Sequence, residues 1–283
     1  MKVLGLSASP RKGGNSELAA AEIMRNLPEN WEKRMIRLTD LKIDYCRGCY
    51  SCLPSQKSCI LSDDMNFLLE NLRWADKVVL TGAAHMLGGH ASLKRIRDRS
   101  LCVLSDFQEF SGKDCVFAAS YGLENWDGMV KEDFLAFARM FHLHVAGSAL
   151  LRAALPGESV AGDNLIQIQK LARSLIQGYS DSEIEDDILC PYCGARGFKF
   201  SSEGTWRCLL CAGKGTLQFK NGKFYLQYDR QDTSFHFSTL AVQKHQKVLE
   251  GKKQLFLQNR KQIHMIQQNY LETHWIKPPH KSE

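Results

Sequence analysis

The sequence predicts an α/β chain: a doubly wound, five-stranded parallel sheet, then a small cysteine-rich module and a helical tail. Three observations carry this reading. Short apolar runs alternate with helical patterns about five times before residue 178, the order that builds a parallel sheet with helices on both faces. The runs are apolar throughout, as strands buried on both sides require. Beyond Gly178 the alternation stops and two Cys-x-x-Cys pairs take over.

The elements follow in order. Residues 2–8, KVLGLSA, form a short apolar run ended by a Ser/Pro/Gly cluster, which reads as a buried strand. Residues 15–27 begin Asn15-Ser16-Glu17, a capping signal, and continue in an Ala/Leu/Ile/Met helical pattern. A second strand is expected at 34–38 and a cysteine-rich loop at 46–61. Asp63-Asp64 then opens a helix with Met65, Phe67, Leu68 and Leu72 on its apolar face. Lys77 to Thr81 reads as a strand, 91–107 as one helix, 115–120 as a strand, and 126–142 as a helix. A strand at 144–151 and a helix at 163–178 complete the alternation. Domain boundaries are expected at 1–179, 188–228 and 239–283, with an acidic linker at 180–187. The tail reads as helical over 239–272, with Leu240, Val248, Leu255, Ile263, Ile266 and Tyr270 apolar and Gly251 expected to break it.

Composition excludes several classes. The chain has 283 residues, 44% hydrophobic and 24% charged, which is ample for a core and far from a disordered chain. No stretch approaches the ~20 apolar residues of a membrane span. The N-terminus does not resemble a signal peptide, so a cytoplasmic location is expected. There, ten cysteines point to metal or redox chemistry and not to a disulfide framework. Of the net charge of +6, residues 244–283 supply +5, from eight Lys/Arg against three Glu. The tail residues Lys244, Lys247, Lys252, Lys253, Arg260 and Lys261, with Phe256, Tyr270 and Trp275, allow nucleic-acid binding. A solvated face on a helix packed against the body or a neighbouring subunit is the simpler expectation.

The first strand runs into Ser7-Ala8-Ser9-Pro10-Arg11-Lys12-Gly13-Gly14-Asn15-Ser16 and then a helix. A loop at the positive end of a helix offers N–H groups to an anion. Ser9, Asn15 and Ser16 add side-chain hydrogen bonds, and Arg11 a charge-assisted one. The loop is neither GxGxxG nor GxxxxGK[ST], which argues against a dinucleotide or ATP site.

This segment resembles the FMN-phosphate loop of the flavodoxin-like NADPH-dependent FMN reductase superfamily. Asp63-Asp64-Met65 and Leu93-Lys94-Arg95-Ile96-Arg97-Asp98-Arg99 are similar to further motifs of that family. The resemblance covers residues 1–178. It implies a flavodoxin-like fold and FMN. The isoalloxazine ring would lie between two loops: Gly82-Ala83-Ala84-His85-Met86 and Ser120-Tyr121-Gly122. Relatives carry Ser-Pro-x-Tyr where this chain has Gly82-Ala83-Ala84-His85, so backbone amides must replace the Pro and aromatic contacts. His85 could serve as an acid or hydrogen-bond donor, or as a plain polar contact.

Cys46, Cys49 and Cys52 are spaced by three, with Cys59 seven residues on. A C-x2-C-x2-C run with a fourth cysteine suits a [4Fe–4S] cluster, while zinc or unligated thiols are the alternatives. The spacing is similar to that of the iron–sulfur flavoprotein group within the superfamily, which implies one cluster and one FMN per subunit, held in an oligomer (dimer or tetramer). Cys102 and Cys115 read as buried packing residues. Cys190/Cys193 and Cys208/Cys211 form two knuckles fourteen residues apart, the pattern of a zinc ribbon, with a rubredoxin-like iron as the rival. A structural or docking role follows for Zn2+, which has no redox activity.

The expected function is FMN-mediated electron transfer. The donor would be NAD(P)H or a ferredoxin-like protein, and the acceptor a quinone, an oxygen species or an organic compound. A redox sensor binding nucleic acid or protein through the ribbon and tail is one alternative. An FMN-dependent NAD(P)H reductase without a cluster is another.

Overall fold

A computed structural model describes residues 1–53, 59–178 and 188–268. The expected linker at 180–187 and the tail beyond residue 268, with Tyr270 and Trp275, lie outside the described residues. The sheet strands are β1 (Lys2–Ala8), β2 (Glu32–Arg37), β3 (Lys77–His85), β4 (Gly88–Gly89), β5 (Asp114–Tyr121) and β6 (His144–Arg152). The helices are α1 (Asn15–Arg25), α2 (Met65–Trp74), α3 (Ala91–Asp98), α4 (Phe107–Phe110), α5 (Val130–Met140) and α6 (Gly162–Gln177). The five long strands pair in parallel in the order β2-β1-β3-β5-β6, and β4 adds a short antiparallel pairing to β3. This is the expected flavodoxin-like, doubly wound sheet. Its order reverses between β1 and β3, where open α/β sheets bind ligands beyond the strand ends.

Strand periodicity explains the two layers. Val78 and Leu80 point into a core shared with α2, α3 and α5, while Val79 between them points into the core under α1 and α6. Both faces of the central strands are covered, so β1, β3 and β5 are almost wholly buried, while the edge strand β2 (EKRMIR) is largely exposed and charged.

The structure differs from the sequence reading at four places. First, β3 continues to His85, so Gly82, Ala83, Ala84 and His85 are strand and not loop. Their small side chains permit close packing: a Cβ on Gly82 would come within 2.6 Å of the Phe134 ring on α5. Second, the expected helix 91–107 ends at Asp98 and gives way to a 3-10 segment, Ser100–Asp106, because Arg99 turns inward to bind Asp63. Third, the helix expected from 126 starts only at Val130. Fourth, the tail does not break at Gly251. There, α7 (Thr239–Gln258) runs through the glycine, whose cost of ~1 kcal/mol one long helix tolerates, and the break falls at Asn259 before α8 (Arg260–Gln268).

Residues 198–228 form a separate four-stranded antiparallel sheet. Its strands are β7 (Phe198–Phe200), β8 (Thr205–Cys208), β9 (Lys214–Lys220) and β10 (Lys223–Tyr228). This sheet is too small for a core of its own. Its buried Trp206, Ala195 and four cysteines join the same apolar cluster as the α5 face of the large sheet. Helix α7 opens on Ser238, whose Oγ accepts from the Ala241 N–H, and it lies against the Ser100–Asp106 segment. Lys253 on α7 donates to the Tyr50 carbonyl at 3.1 Å, so at least this basic residue packs on the body.

Candidate functional site

A cavity of about 240 Å³ opens at the carboxyl ends of β1, β3 and β5. At one end are Ser9, Pro10, Arg11, Gly14, Asn15 and Ser16; at the other are Ala83, Ala84, His85, Ser120, Tyr121 and Gly122. The first N–H groups of α1 have no partner within the helix, and Gly14 caps it with extended backbone. Thr39 donates to the Ser9 carbonyl at 3.2 Å and fixes the start of the loop. Ser120 Oγ donates to the Gly82 carbonyl at 3.3 Å and ties the two ring-side strand ends together.

Several expected anion ligands are otherwise occupied. The Asn15 side chain binds the loop after β6: its Nδ2 donates to the Ala153 carbonyl at 3.0 Å, and its Oδ1 accepts from the Gly157 N–H at 3.0 Å. Asn15 therefore shapes the cavity wall, and its amide is committed there. The Gly13 N–H donates to Glu17 at 2.7 Å, and Lys12 and Gly13 are not among the lining residues. Arg11 remains the cation at this end of the cavity. Met86 is 96% exposed and lies outside the cavity lining.

The ring-side hairpin is built tightly. Met86 and Leu87 both have positive φ, 48° and 64°, and join β3 to β4. The Leu87 carbonyl accepts from the Met129 N–H at 2.7 Å, and a Cβ on Gly128 would meet that carbonyl oxygen at 2.4 Å. Asp133 on α5 accepts from the Gly89 N–H at 2.9 Å and from Arg97 at 3.2 Å. His85 packs edge-on against His90 with ring centroids 5.0 Å apart. His90 caps α3 by accepting from the Ser92 N–H at 3.2 Å. Burial, then the His85 and Arg95 charges, hold its pKa below the ordinary histidine value.

The described parts of the cysteine loop, residues 46–53 and Cys59, sit beside this end of the sheet. Cys46, Cys49, Cys52 and Cys59 line one concavity together with Arg99. Cys46 and Cys49 are exposed, Cys52 and Cys59 half-buried. The protein holds the base of this loop with one buried ion pair. Arg99 donates to Asp63 at 2.7 and 3.2 Å and to the Asp44 carbonyl at 2.9 Å. Asp63 also accepts from the Asp44 and Met65 N–H groups. Burial pushes the Asp63 carboxyl up, but these donors outweigh it and hold the pKa below the usual range. For Cys49, the Ser51 hydroxyl and N–H lower the thiol pKa, and Lys253 adds to this. Burial and then the Cys59 sulfur raise that of Cys52. Four thiols around one concavity are the donor set that a [4Fe–4S] cluster takes.

The second set is different. The sulfurs of Cys190, Cys193, Cys208 and Cys211 lie within 4.8 Å of one another, all buried. Cys190–Cys211 and Cys193–Cys208 are each 3.6 Å apart. A tetrahedron with ~2.3 Å metal–sulfur bonds has edges of about 3.8 Å, so a single tetrahedral ion fits. The Leu210 and Gly213 N–H groups donate to Cys208 and Cys211 sulfurs at 3.4 and 3.3 Å.

The family model for NADPH-dependent FMN reductases matches residues 1–154, more than half of the chain. The chain belongs to this family. The chain is similar to an iron–sulfur flavoprotein of Methanocaldococcus jannaschii, 35% identical over 109 residues, 38% of this chain and 56% of that protein. An iron–sulfur flavoprotein of Methanosarcina thermophila is 29% identical over 167 residues, 58% of this chain and 78% of that one. The chain thus spans little more than half the length of the M. jannaschii relative. Among solved structures, a flavone reductase superposes with a TM-score of 0.73 at 18% identity, covering 98% of this chain and 100% of that one. The shared fold therefore extends past the FMN-reductase part into the cysteine tetrad and tail.

Of the residues singled out in the sequence, Ser9, Arg11, Gly14, Ser16, His85 and Tyr121 meet at one cavity. The sequence reading did not find Gly128 or Asp133, which brace the ring-side hairpin. No local pattern marks them, because they act across 41 and 44 residues on Leu87 and Gly89. Asp63 and Arg99 carried a signal as family motifs. Their role, closing the cysteine loop, needed the fold.

Proposed function

We propose that this FMN reductase couples its flavin to a [4Fe–4S] cluster on Cys46, Cys49, Cys52 and Cys59. It moves electrons from NAD(P)H or a ferredoxin-like donor to a small acceptor such as a quinone, an oxygen species or an organic compound. The observation that carries this reading is adjacency. The cavity and the thiol loop open at the same end of the sheet; between them His85 packs on His90, His90 and Arg95 line one concavity, and Arg95 donates to Tyr45. Arg95 lies over the Tyr45 ring at 4.7 Å, next in sequence to Cys46.

Bound FMN supplies conversion between two-electron and one-electron chemistry, and a cluster supplies one-electron transfer. The chain's residues hold and orient. Arg11 and the first turn of α1 bind phosphate. The Gly82–His85 strand end and Ser120–Gly122 flank the ring, with their backbone amides in place of bulky side chains. His85, held edge-on by His90, offers a hydrogen bond at the ring-side rim. Zinc in the Cys190/Cys193/Cys208/Cys211 site holds structure.

Anaerobic purification with flavin, iron, sulfide and zinc counted on one sample tests the proposal. Bound FMN without iron and acid-labile sulfide would overturn the cluster. A second reading, a cluster-free NAD(P)H-dependent reductase, draws on the exposure of Cys46 and Cys49. Unchanged turnover in Cys52→Ala would favour it.

A further inference from the structure

A second cavity, of about 200 Å³, adjoins the flavin cavity and shares no lining residue with it. Its walls come from the chain just after β2, including the Leu38–Asp40 turn, and from α3 with its cap. Two contacts join the cavities. His90 lines the second cavity and packs on His85, which lines the first, with ring centroids 5.0 Å apart. Thr39 lines the second and donates to the carbonyl of Ser9, which lines the first, at 3.2 Å.

The lining has two chemistries. Leu38, Ile43 and Ile96 are buried and, with Leu41, supply apolar surface. His90 and Arg95 supply donors. The His90 Nδ1 accepts from the Ser92 N–H at 3.2 Å, so the neutral ring carries its proton on Nε2. Arg95 is the exception among the cations at α3. Lys94 pairs with Asp98, Arg97 with Asp133 at 3.2 Å, and Arg99, just past the helix, with Asp63 at 2.7 Å. Among the described residues Arg95 has no carboxylate partner. Its Nη2 donates to the Tyr45 hydroxyl at 3.3 Å, and its guanidinium lies over that neutral ring. No Asp or Glu lines the cavity, and Asp40 in the adjoining turn is held by Arg37 at 2.7 Å.

A cavity with apolar surface, a neutral donor and a cation, and with no acid, selects its ligand by charge. A cationic ligand meets repulsion. A neutral one gains only the apolar contact. An anionic one gains both, and the planar guanidinium fork matches a carboxylate. We propose that this second cavity binds a small organic anion, an apolar body ending in a carboxylate. Arg95 and His90 hold the carboxylate, and Leu38, Leu41, Ile43 and Ile96 hold the body. Neither FMN nor a cluster enters this assignment, so it stands or falls apart from the proposed function.

The test is calorimetric titration of the full chain with benzoate and with benzamide, which share a ring and differ in charge. Acetate serves as an anion without an apolar body. Wild type should bind benzoate at least about tenfold more tightly than benzamide, the usual range for a charge-assisted hydrogen bond. In Arg95→Met that preference should fall to about one. Arg95→Lys keeps the charge without the fork and should retain part of it. Ala91→Phe, at an exposed lining position, should weaken both ligands by narrowing the cavity. Equal affinity of wild type for benzoate and benzamide overturns the proposal, as does failure to bind benzoate more tightly than about 10 mM. A preference that survives in Arg95→Met also overturns it, and would move the anion to Arg11 in the flavin cavity. Acetate binding as tightly as benzoate overturns the apolar body. Should Arg95→Met fail to fold, Arg95→Gln against Arg95→Lys makes the same comparison.

Discussion

The two cysteine sets are built from the same residue type in opposite ways. In the loop at 46–59 the protein makes the frame: Arg99 and Asp63 join its two ends, and two of the four thiols stay exposed. In the ribbon the thiols are the frame: all four are buried at the centre of a small sheet. The difference teaches where each site draws its stability. The loop has a carboxylate to neutralise its arginine before anything binds. The ribbon's own arginine, Arg196, is spent on docking, paired with Asp127 and Glu132 of the body. Exposed thiols on a prepared base suit the electron-exchanging role proposed for the loop, and a buried tetrad suits a single structural ion.

The largest effect should come from breaking the ribbon's centre. Cys193→Ser should lose zinc and expose residues 188–228 to hydrogen exchange, because binding of structural zinc contributes ~10 kcal/mol or more in isolated fingers. Cys49→Ser should keep its fold and FMN and lose iron, since exposed substitutions usually change stability by about 0.5 kcal/mol or less. Metal analysis and dithionite reduction of the flavin on both variants compare them directly. Loss of iron and retention of zinc in Cys193→Ser would reverse the assignment of the two centres.

The loop's frame should be the next most sensitive point. Asp63→Asn leaves the Arg99 guanidinium buried without its anion, and breaking such a pair costs about 3–5 kcal/mol. Thermal unfolding should show that loss in protein with and without iron alike. A loss confined to the iron-loaded form would mean that the cluster, and not the ion pair, holds the loop. A smaller effect is expected from Arg196→Ala, which removes charge-assisted bonds to Asp127 and Glu132 worth about 1.5–3 kcal/mol each at most. Zinc should stay bound while hydrogen exchange in 188–228 rises. Loss of zinc in this variant would show that docking through Arg196 is needed to hold the ion.

The sequence carried the order of strands and helices because burial on both faces writes the central strands β1, β3 and β5 as apolar runs; the exposed edge strand β2 showed only as a short patch at Met35 and Ile36. It carried both cysteine sets because ligand spacing is local. What it hid was mostly long-range. The reach of β3 through Gly82, Ala83, Ala84 and His85 was read as loop, since small residues signal turns unless a partner such as Phe134 fills the space beside them. The end of α3 was hidden because Arg99 reads as one more helical residue until Asp63 is placed against it. Asn15 was read as an anion ligand for its position after Gly14, yet residues 153–159 claim its side chain. Docking of the ribbon on α5 left no trace, because Arg196 lies more than 60 residues from Asp127 and Glu132.

The smallest predicted effect separates body from ribbon in acid. His142 follows α5, three residues after Arg139, and burial pulls its pKa down to about 4, against a raising contribution from the Val103 backbone. An unfolded histidine titrates near ~6.5. Between these values the unfolded chain binds a proton that the folded chain refuses. Stability therefore rises with pH through this window and is lost as pH falls from about 6.5 towards 4, by at most ~1.4 kcal/mol per unit. Asn suits the replacement, because residue 142 has φ of 57° and Asn tolerates left-handed backbone. Acid also protonates ribbon thiolates and expels their metal, so wild type combines two losses. In His142→Asn the body's share disappears. Denaturant unfolding between pH 4.5 and 7, with zinc measured at each point, should show a shallower slope for the variant at the same zinc content. Identical slopes would assign the whole acid loss to the four thiolates, and the body would be as indifferent to pH in this range as the ribbon is sensitive.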